Sequence, residues 1–285
     1  MLTLLKFLAA RSLNSFMVLP FHIIPPKGTP VPIIVSVPHC GTEFPPELQN
    51  DYVPEKMGAP DDTDWFVHDL YNFASELGIT IIHAKYSRWV IDLNRDPKSA
   101  PLYNDGRIIT GITPNTDFFG ESIYTRPEVE PDAKEVQRRL DTYYWPYYQK
   151  VQELLDQRVS EFGKVLLWDA HSIRHLVPTI REDVFPDMIL GNNDGTTADP
   201  KLIYTTLNGL KSGKYGINHN TPFKGGHITR YFGKPEKNVH ALQLEMNKIL
   251  YMDDEENQFL EDRANAVREL LKPTFSAIIE TLKTL

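Results

Sequence analysis

Two histidines follow segments that the sequence predicts to be buried strands. His39 comes after the apolar run at residues 31–37, and His171 comes after a second run at residues 164–169. Imidazole is the commonest metal-binding side chain, and catalytic zinc sites use three protein ligands and leave a fourth position open. The pair therefore predicts a metal site, although each histidine taken alone is better explained as an ordinary core or surface residue. The third ligand is expected to be a carboxylate or another histidine, and the nearby acids are Glu43, Asp61, Asp62 and Asp64.

A second group of residues has the chemistry to bind a carboxylate. A guanidinium binds a carboxylate through two parallel hydrogen bonds, and an adjacent amide adds a further donor. Paired glycines before a polar run indicate that the backbone closely approaches a neighbouring group. Solvated or structural ion pairs are the alternative explanation for the arginines. The candidates in this group are Arg88, Asn94, Arg95, Gly226 and Arg230.

Glu245 is the candidate general base. It lies at the end of an alternating run at residues 239–245, in which Gln243 and Glu245 share one face of the predicted strand. Burial would raise the pKa of this carboxyl towards the working range of a base, whereas an edge-strand charge would simply face water. A thiol nucleophile is disfavoured, because His39 points to the opposite face of the chain from Cys40. The sequence also lacks a Gly-x-Ser-x-Gly elbow and a phosphate-binding glycine motif.

The elements that must position these residues alternate along the chain. Alternation of strands with helices predicts an α/β fold whose mostly parallel sheet is covered on both faces. The carboxyl ends of such strands are the usual place for ligands. Residues 98–131 lack periodicity and are predicted to form a long loop. Strands are predicted at 31–37, 80–83, 89–93, 164–169 and 239–245. Helices are predicted at 64–77, 132–162 with an interruption at Pro146, 199–210, and 255–285 with a second interruption at Pro273.

Composition limits the functions that the chain can have. Thirty basic and 38 acidic residues give a net charge of −8 over 285 residues, which argues against nucleic acid as a partner. No run reaches the roughly 18–20 apolar residues that a membrane helix needs. The single cysteine, Cys40, fits a reducing compartment and hence a cytoplasmic protein. The aromatic cluster at residues 143–148 fits either core packing or an oligomer interface.

The chain is predicted to hold an N-terminal extension, residues 1–30, followed by a single domain at residues 31–285. Residues 1–24 contain Lys6 and Arg11 but no acid. A weak signal peptide, an amphipathic targeting segment and a terminal helix all fit this stretch, as does a natural start at Met17.

Six segments give the chain its resemblance to the N-formylglutamate amidohydrolase family. They run in the family's order from about residue 31 to about residue 252, and they coincide with the predicted strand ends. The resemblance implies the fold of zinc carboxypeptidases and aminoacylase-like hydrolases, a mixed sheet between helices. The segments are VPHCGTEFP (37–45), DDTDWFVHDLY (61–71), YSRWVIDLNRDP (86–97), LLWDAHSI (166–173), FKGGHITRYFGKP (223–235) and VHALQLEMNKILYM (239–252).

The resemblance also implies roles for individual residues. His39 and His171 match the histidine ligands of one Zn²⁺ ion, but Thr42 replaces the usual glutamate of the first ligand pair. Asp64 is therefore expected to be the carboxylate ligand, with Glu43 as the alternative. Asn94-Arg95 resembles the pair that holds the substrate carboxylate, and Arg88 or Arg230 would hold a second one. Glu245 matches the catalytic glutamate.

The activity implied by the resemblance is the hydrolysis of N-formyl-L-glutamate to formate and L-glutamate, a step of histidine degradation. The expected partner is accordingly a small dicarboxylate. Two alternatives stay open: hydrolysis of another N-acyl amino acid, and a catalytically silent protein that binds carboxylates without a metal.

Overall fold

The fold centres on a mixed β-sheet. The computed structural model describes residues 19–98 and 111–285, and within these ranges seven strands form one sheet in the order β1-β3-β2-β4-β7-β5-β6. The central strands β3, β2, β4 and β7 are mutually parallel. β1 runs antiparallel to β3, and β5 runs antiparallel to β7 but parallel to β6. The strands are β1 (Phe21–Ile24), β2 (Ile33–Val37), β3 (Thr80–Ala84), β4 (Val165–Ile173), β5 (Met188–Gly191), β6 (Ile217–His219) and β7 (Val239–Asn247).

Helices cover both faces of the sheet, as the alternation in the sequence predicted. The long helices α5 and α7 pack on one face, and α4 packs on the other. The helices of the described chain are α1 (Pro54–Met57), α2 (Val67–Leu70), α3 (Ala133–Arg139), α4 (Trp145–Phe162), α5 (Pro200–Lys211), α6 (His227–Phe232) and α7 (Glu261–Thr284).

Alternation within β2 shows why the sheet is buried on both sides. Ile33 and Val35 belong to the core beneath α5 and α7, whereas Ile34 belongs to the core beneath α4. Every residue of β2 is buried. Successive side chains of a strand point to opposite faces, so a strand between two helical layers carries apolar side chains on both faces. This explains why the run at 31–37 shows no polar alternation.

The helical region at 132–162 is interrupted before its proline, as predicted. Leu140–Tyr144 forms a π-helical segment between α3 and α4, and Pro146 lies in the first turn of α4. The first turn tolerates proline because its backbone N–H groups have no intrahelical partner. The tyrosines of the neighbouring aromatic cluster are buried in the core, which matches the core-packing explanation. They are Tyr143, Tyr144, Tyr147 and Tyr148.

Several predicted elements were wrong or incomplete. Residues 89–93 do not form a strand but a chain of turns, in which Trp89 and Val90 are nevertheless buried. The predicted helix at 64–77 is split into α2 and a 3₁₀ segment, Asn72–Leu77. His171 lies inside β4 rather than after it, because that strand continues to Ile173. The helix expected from residue 255 begins at Glu261, and it continues through Pro273 to Thr284 instead of being interrupted there.

Two observations concern the predicted boundaries of the chain. β1 pairs with β3, so the sheet includes residues of the segment predicted to be an N-terminal extension. The described part of the predicted long loop, residues 98 and 111–131, is irregular apart from a 3₁₀ turn at Pro127–Val129. Residues 99–110 and the N-terminal segment 1–18 lie outside the described residues. Among the described helices, none combines the length and the apolarity needed to cross a membrane.

Candidate metal centre

Three predicted ligands meet near the carboxyl ends of the central strands. His39 lies in the turn after β2, and His171 lies in the neighbouring strand β4. The loop before α2 brings in Asp64, whose backbone N–H donates to the carbonyl of His39 at 3.0 Å. One ligand atom from each of the three residues lies within 4.8 Å of the others. All three residues are buried.

Both histidines point their Nδ1 atom towards the carboxylate of Asp64. Nδ1 of His171 is 3.1 Å and Nδ1 of His39 is 3.8 Å from Asp64 Oδ2. The opposite ring nitrogens face other carboxylates: His39 Nε2 is 2.7 Å from Asp92, and His171 Nε2 is 3.1 Å from Asp169. Metal-binding histidines characteristically direct their second nitrogen to a carboxylate, which fixes the tautomer. Two imidazoles and one carboxylate, oriented in this way, fit a divalent cation of the zinc type.

The protonation states of these residues support the same conclusion. Burial lowers the pKa of His39 to about 4, which leaves its imidazole neutral and able to bind a metal. Burial acts to raise the pKa of Asp64, but the hydrogen bond and charge of His171, together with the charges of His39 and Arg88, bring the pKa below its usual value. Burial also acts to lower the pKa of His171, yet Asp169 and Asp64 hold it well above the usual range. The carboxylates of Asp64 and Asp169 therefore stabilise a positive charge at His171, either a proton on the ring or a bound cation.

Glu43, the alternative carboxylate ligand, is not brought to this cluster. Its backbone forms a bridge with Tyr86, and its exposed side chain lies 3.5 Å from Lys85 Nζ. Among the described residues, Asp64 is the acid that groups with the two histidines. Asp64 thus has the position that the prediction required, and Glu43 does not.

Glu245 lies beside the cluster on the next strand. It is the register partner of His171 across the β4–β7 pair. Its side chain is buried, and burial raises the pKa of this carboxyl to about 7, an effect that His171 opposes and Asp64 reinforces. Gln243, on the same face of β7, donates through Nε2 to Glu245 Oε2 at 3.2 Å. A buried carboxyl that titrates near neutral pH can exchange protons readily, as a general base must.

Arg88 is connected to His39 through the carboxylate of Asp92. Its Nη2 donates to Asp92 Oδ2 at 2.6 Å, and its Nη1 donates to the backbone carbonyl of Asp62 at 3.2 Å. Since the other oxygen of Asp92 faces His39, Arg88 supports the partner of a predicted metal ligand. Direct contact between Arg88 and a substrate stays a prediction.

Asn94 and Gly226 pack directly against each other. Asn94 Oδ1 accepts a hydrogen bond from the backbone N–H of Ile228 at 2.8 Å, and Asn94 Nδ2 lies 3.1 Å from His171 Nε2. A Cβ atom on Gly226 would lie only 2.2 Å from Asn94 Nδ2, and the Gly226 N–H donates to Gln243 Oε1 at 2.7 Å. The close approach predicted from the paired glycines is thus confirmed, and the group approached is Asn94.

The two remaining arginines lie on either side of this contact. Arg95 is partly buried, and its Nη1 donates to the carbonyl of Asn94 at 3.3 Å. Arg230, on α6, donates through Nε to the carbonyl of Gly225 at 2.9 Å. Both guanidinium groups are therefore hydrogen-bonded to backbone carbonyls at the contact between Asn94 and Gly226. Their roles in binding carboxylates stay predictions.

The sequence did not reveal several residues that shape the centre. Asp92 and Asp169 orient the two histidines, and Gln243 connects Glu245 to the glycine loop. Lys248 is buried and donates to the carbonyl of Asp61 at 3.2 Å. Asp169 stands two residues before His171, on the same face of the strand, and this spacing could have indicated it. No comparable signal marked Asp92, which lies in the turn region mistaken for a strand.

Fold and site together define an α/β protein with a buried His-Asp-His cluster that could hold a metal ion and with an adjacent buried acid. The family model described as N-formylglutamate amidohydrolase matches residues 31–252. Two curated relatives, both called N-formylglutamate deformylase, come from Pseudomonas aeruginosa and Pseudomonas putida. They are 40% and 38% identical over 252 residues, which cover 87% of this chain and 93% and 92% of theirs. The chain belongs to the N-formylglutamate amidohydrolase family, as the motifs in its sequence predicted.

A solved structure agrees with this assignment. The N-formylglutamate amidohydrolase from Ralstonia eutropha JMP134 is 27% identical, with a TM-score of 0.78 over 94% of this chain and 99% of that one. The gene product Atu2144 from Agrobacterium tumefaciens, 18% identical with a TM-score of 0.70, shares the fold over 92% of this chain and 97% of its own. The predicted α/β class with a mixed, mostly parallel sheet is confirmed.

Proposed function

We propose that this chain hydrolyses N-formyl-L-glutamate to formate and L-glutamate and that the reaction depends on a bound Zn²⁺ ion. The observation that carries the proposal is the buried group of His39, Asp64 and His171, with Glu245 beside His171 on the adjacent strand. The names of the curated relatives supply the substrate. The carboxylates behind both histidines support the metal.

The chemistry would be shared between the ion and the protein. When bound, the ion would polarise the formyl carbonyl and make the attacking water more acidic. Glu245 would take a proton from that water and deliver it to the leaving amine, so that the products are formate and the free amino group of glutamate. Gln243 keeps Glu245 oriented through the 3.2 Å hydrogen bond between them. Burial keeps the pKa of Glu245 near the pH at which both proton transfers are efficient.

Carboxylate recognition is assigned to the residues around the glycine loop. Arg95 would hold the α-carboxylate together with Asn94, and Arg230 would hold the side-chain carboxylate. Their attachment to the backbone at Asn94 and Gly225 supports this, because it limits the freedom of the long side chains. A guanidinium that is already oriented loses less entropy when it binds a carboxylate. The proposed setting is a cytoplasmic enzyme of histidine degradation that acts on a small dicarboxylate.

The decisive experiment combines metal analysis with a formate-release assay. Purified protein should contain about one divalent ion at this centre and should release formate from N-formyl-L-glutamate. A chelator should abolish turnover, and Zn²⁺ should restore it. His39→Ala and His171→Ala should lose both metal and activity, whereas Glu43→Ala should keep both. Full activity in metal-free protein would reject the metal-dependent reaction, and activity only on other acylated amino acids would reject the substrate.

A further inference from the structure

A second group of metal-binding side chains lies on the other side of the His39 turn. It consists of Cys40, His68 and His83, and one ligand atom from each lies within 4.8 Å of the others. Cys40 is buried, while the two histidines are partly buried. None of these residues belongs to the centre formed by His39, Asp64 and His171.

The separation between the sulfur of Cys40 and a ring nitrogen of His83 suits a shared ion. Cys40 Sγ lies 3.8 Å from His83 Nδ1. Zinc binds sulfur at about 2.3 Å and nitrogen at about 2.0–2.1 Å, so two such ligands at a tetrahedral angle are about 3.5 Å apart. A shift of a few tenths of an ångström would bring the observed pair to that separation. This is within the reach of small side-chain rotations.

His68 completes the group with an unused nitrogen. Its Nδ1 atom is buried and forms no hydrogen bond to any described residue. The ring is stacked on His83, with centroids 4.8 Å apart and an angle of 17° between the planes. A buried ring nitrogen without a partner is costly, and a metal ion is one partner that would remove the cost. His83 is already suited to this role, because burial lowers its pKa to about 4 and keeps the imidazole neutral.

A surface histidine marks a route by which an ion could enter. His22 on β1 is exposed and faces His83 on β3 in the antiparallel pair, with ring centroids 5.0 Å apart. The imidazoles of His22, His83 and His68 therefore form a stack that leads from the protein surface to the buried thiol. A water molecule would supply the fourth ligand, because His22 does not belong to the group of ligand atoms that lie within 4.8 Å of one another.

We propose that Cys40, His68 and His83 form a second metal site, selective for ions that favour sulfur and nitrogen ligands, such as Zn²⁺. On binding, the S–H bond of Cys40 breaks, a sulfur–metal bond forms and one proton is released to solvent. The site would join the turn after β2 to α2 and β3. Since His39 precedes Cys40, and His68 follows the Asp64 loop, an ion here would restrain both segments that carry ligands of the first centre. This proposal does not depend on the substrate.

The single cysteine makes the site directly observable. Thiolate–Co²⁺ coordination produces a charge-transfer absorption in the near ultraviolet, and Cys40 is the one sulfur that can produce it as a thiolate in this chain. Metal-free full-length protein titrated with Co²⁺ should bind two ions and develop this absorption. Cys40→Ser should bind one ion and lack the absorption. His68→Gln and His83→Gln should bind the second ion at least tenfold more weakly.

Two controls separate this site from the first one. His171→Ala removes a ligand of the first centre and should keep the absorption, because it leaves all three proposed ligands intact. His219→Gln changes a histidine on β6, outside both groups, and should leave both ions bound. Wild-type protein without the absorption would overturn the proposal regardless of how the variants fold. Loss of the absorption in His171→Ala would instead assign Cys40 to the first centre and equally overturn it.

Discussion

Asp92 lies between His39 and Arg88: its Oδ1 is 2.7 Å from His39 Nε2, and its Oδ2 accepts a hydrogen bond from Arg88 Nη2 at 2.6 Å. Its burial alone would raise the pKa, but Arg88, Arg95 and His39 together hold the pKa well below the usual value, so the carboxylate stays ionised. An ionised Asp92 keeps the proton of His39 on Nε2. His39 Nδ1 is then free to act as a ligand on the side where Asp64 and His171 lie.

The first prediction follows from this relationship. Asp92→Asn should lower the affinity for Zn²⁺ roughly 10- to 100-fold, the usual cost of losing a carboxylate behind a metal-binding histidine. A competition titration with a chromophoric chelator measures the affinity. Asp199→Asn is the matched control, because Asp199 caps α5 far from the centre and asparagine caps helices equally well. Unchanged affinity in Asp92→Asn would show that Asp92 does not support the metal site.

The second prediction concerns the general base. Glu245→Gln should retain the metal and lose about 10²- to 10⁴-fold in turnover, because the amide cannot accept a proton from water. The isosteric side chain preserves the contact with Gln243. Glu236→Gln, a change of an exposed glutamate, is the control. A loss smaller than tenfold would remove Glu245 from the mechanism.

The pH dependence of the reaction provides a third prediction. Burial raises the pKa of Glu245 to about 7, and a base works only in its deprotonated form. The rate constant kcat/KM should therefore fall about tenfold per pH unit on the acidic side. A cation at His171 would stabilise the Glu245 carboxylate, so the midpoint of this acidic decline in kcat/KM should lie at or below pH 7. The residual activity of Glu245→Gln should not show the decline. If the decline persists in this variant, the titration of another group causes it.

The sequence predicted the four central strands but not the outer strands β1, β5 and β6. β7 was identified from its alternation, whereas β2, β3 and β4 were identified from apolar runs, which burial on both faces favours. The same criterion failed at residues 89–93, where Trp89 and Val90 are buried within turns. An apolar run reports burial, but it does not report backbone conformation.

The same distinction explains what could be predicted about the site. His39 and His171 were found because adjacent parallel strands end at the same edge of the sheet. The contact between His39 and Asp92 spans 53 residues and depends on the turns that replaced the expected strand. No local pattern encodes such a contact. The position of Glu245 beside His171 likewise depends on the strand order, which periodicity does not specify.

The fourth prediction tests the packing of the glycine loop. Gly226→Ala would place a Cβ atom 2.2 Å from Asn94 Nδ2 and 2.5 Å from Asn94 Oδ1. Because Asn94 is buried and contacts His171, the side chain cannot move without disturbing the centre. Activity should fall at least tenfold, and the thermal midpoint should drop by several degrees, as overpacking costs roughly 1–3 kcal/mol. Gly58→Ala, where a Cβ meets nothing within 4 Å, should change neither.

The last prediction concerns the two arginines beside the loop. Arg230→Met should reduce the preference for N-formylglutamate over N-formylglutamine and N-formylmethionine, because only the first carries a side-chain carboxylate. Arg95→Met should depress all three substrates together, since each keeps the α-carboxylate. Hydrogen bonds to charged groups contribute roughly 1.5–3 kcal/mol, which corresponds to a loss of roughly 10- to 150-fold in kcat/KM. Equal wild-type rates on the three substrates would contradict dicarboxylate recognition and indicate a broader acyl-amino-acid hydrolase.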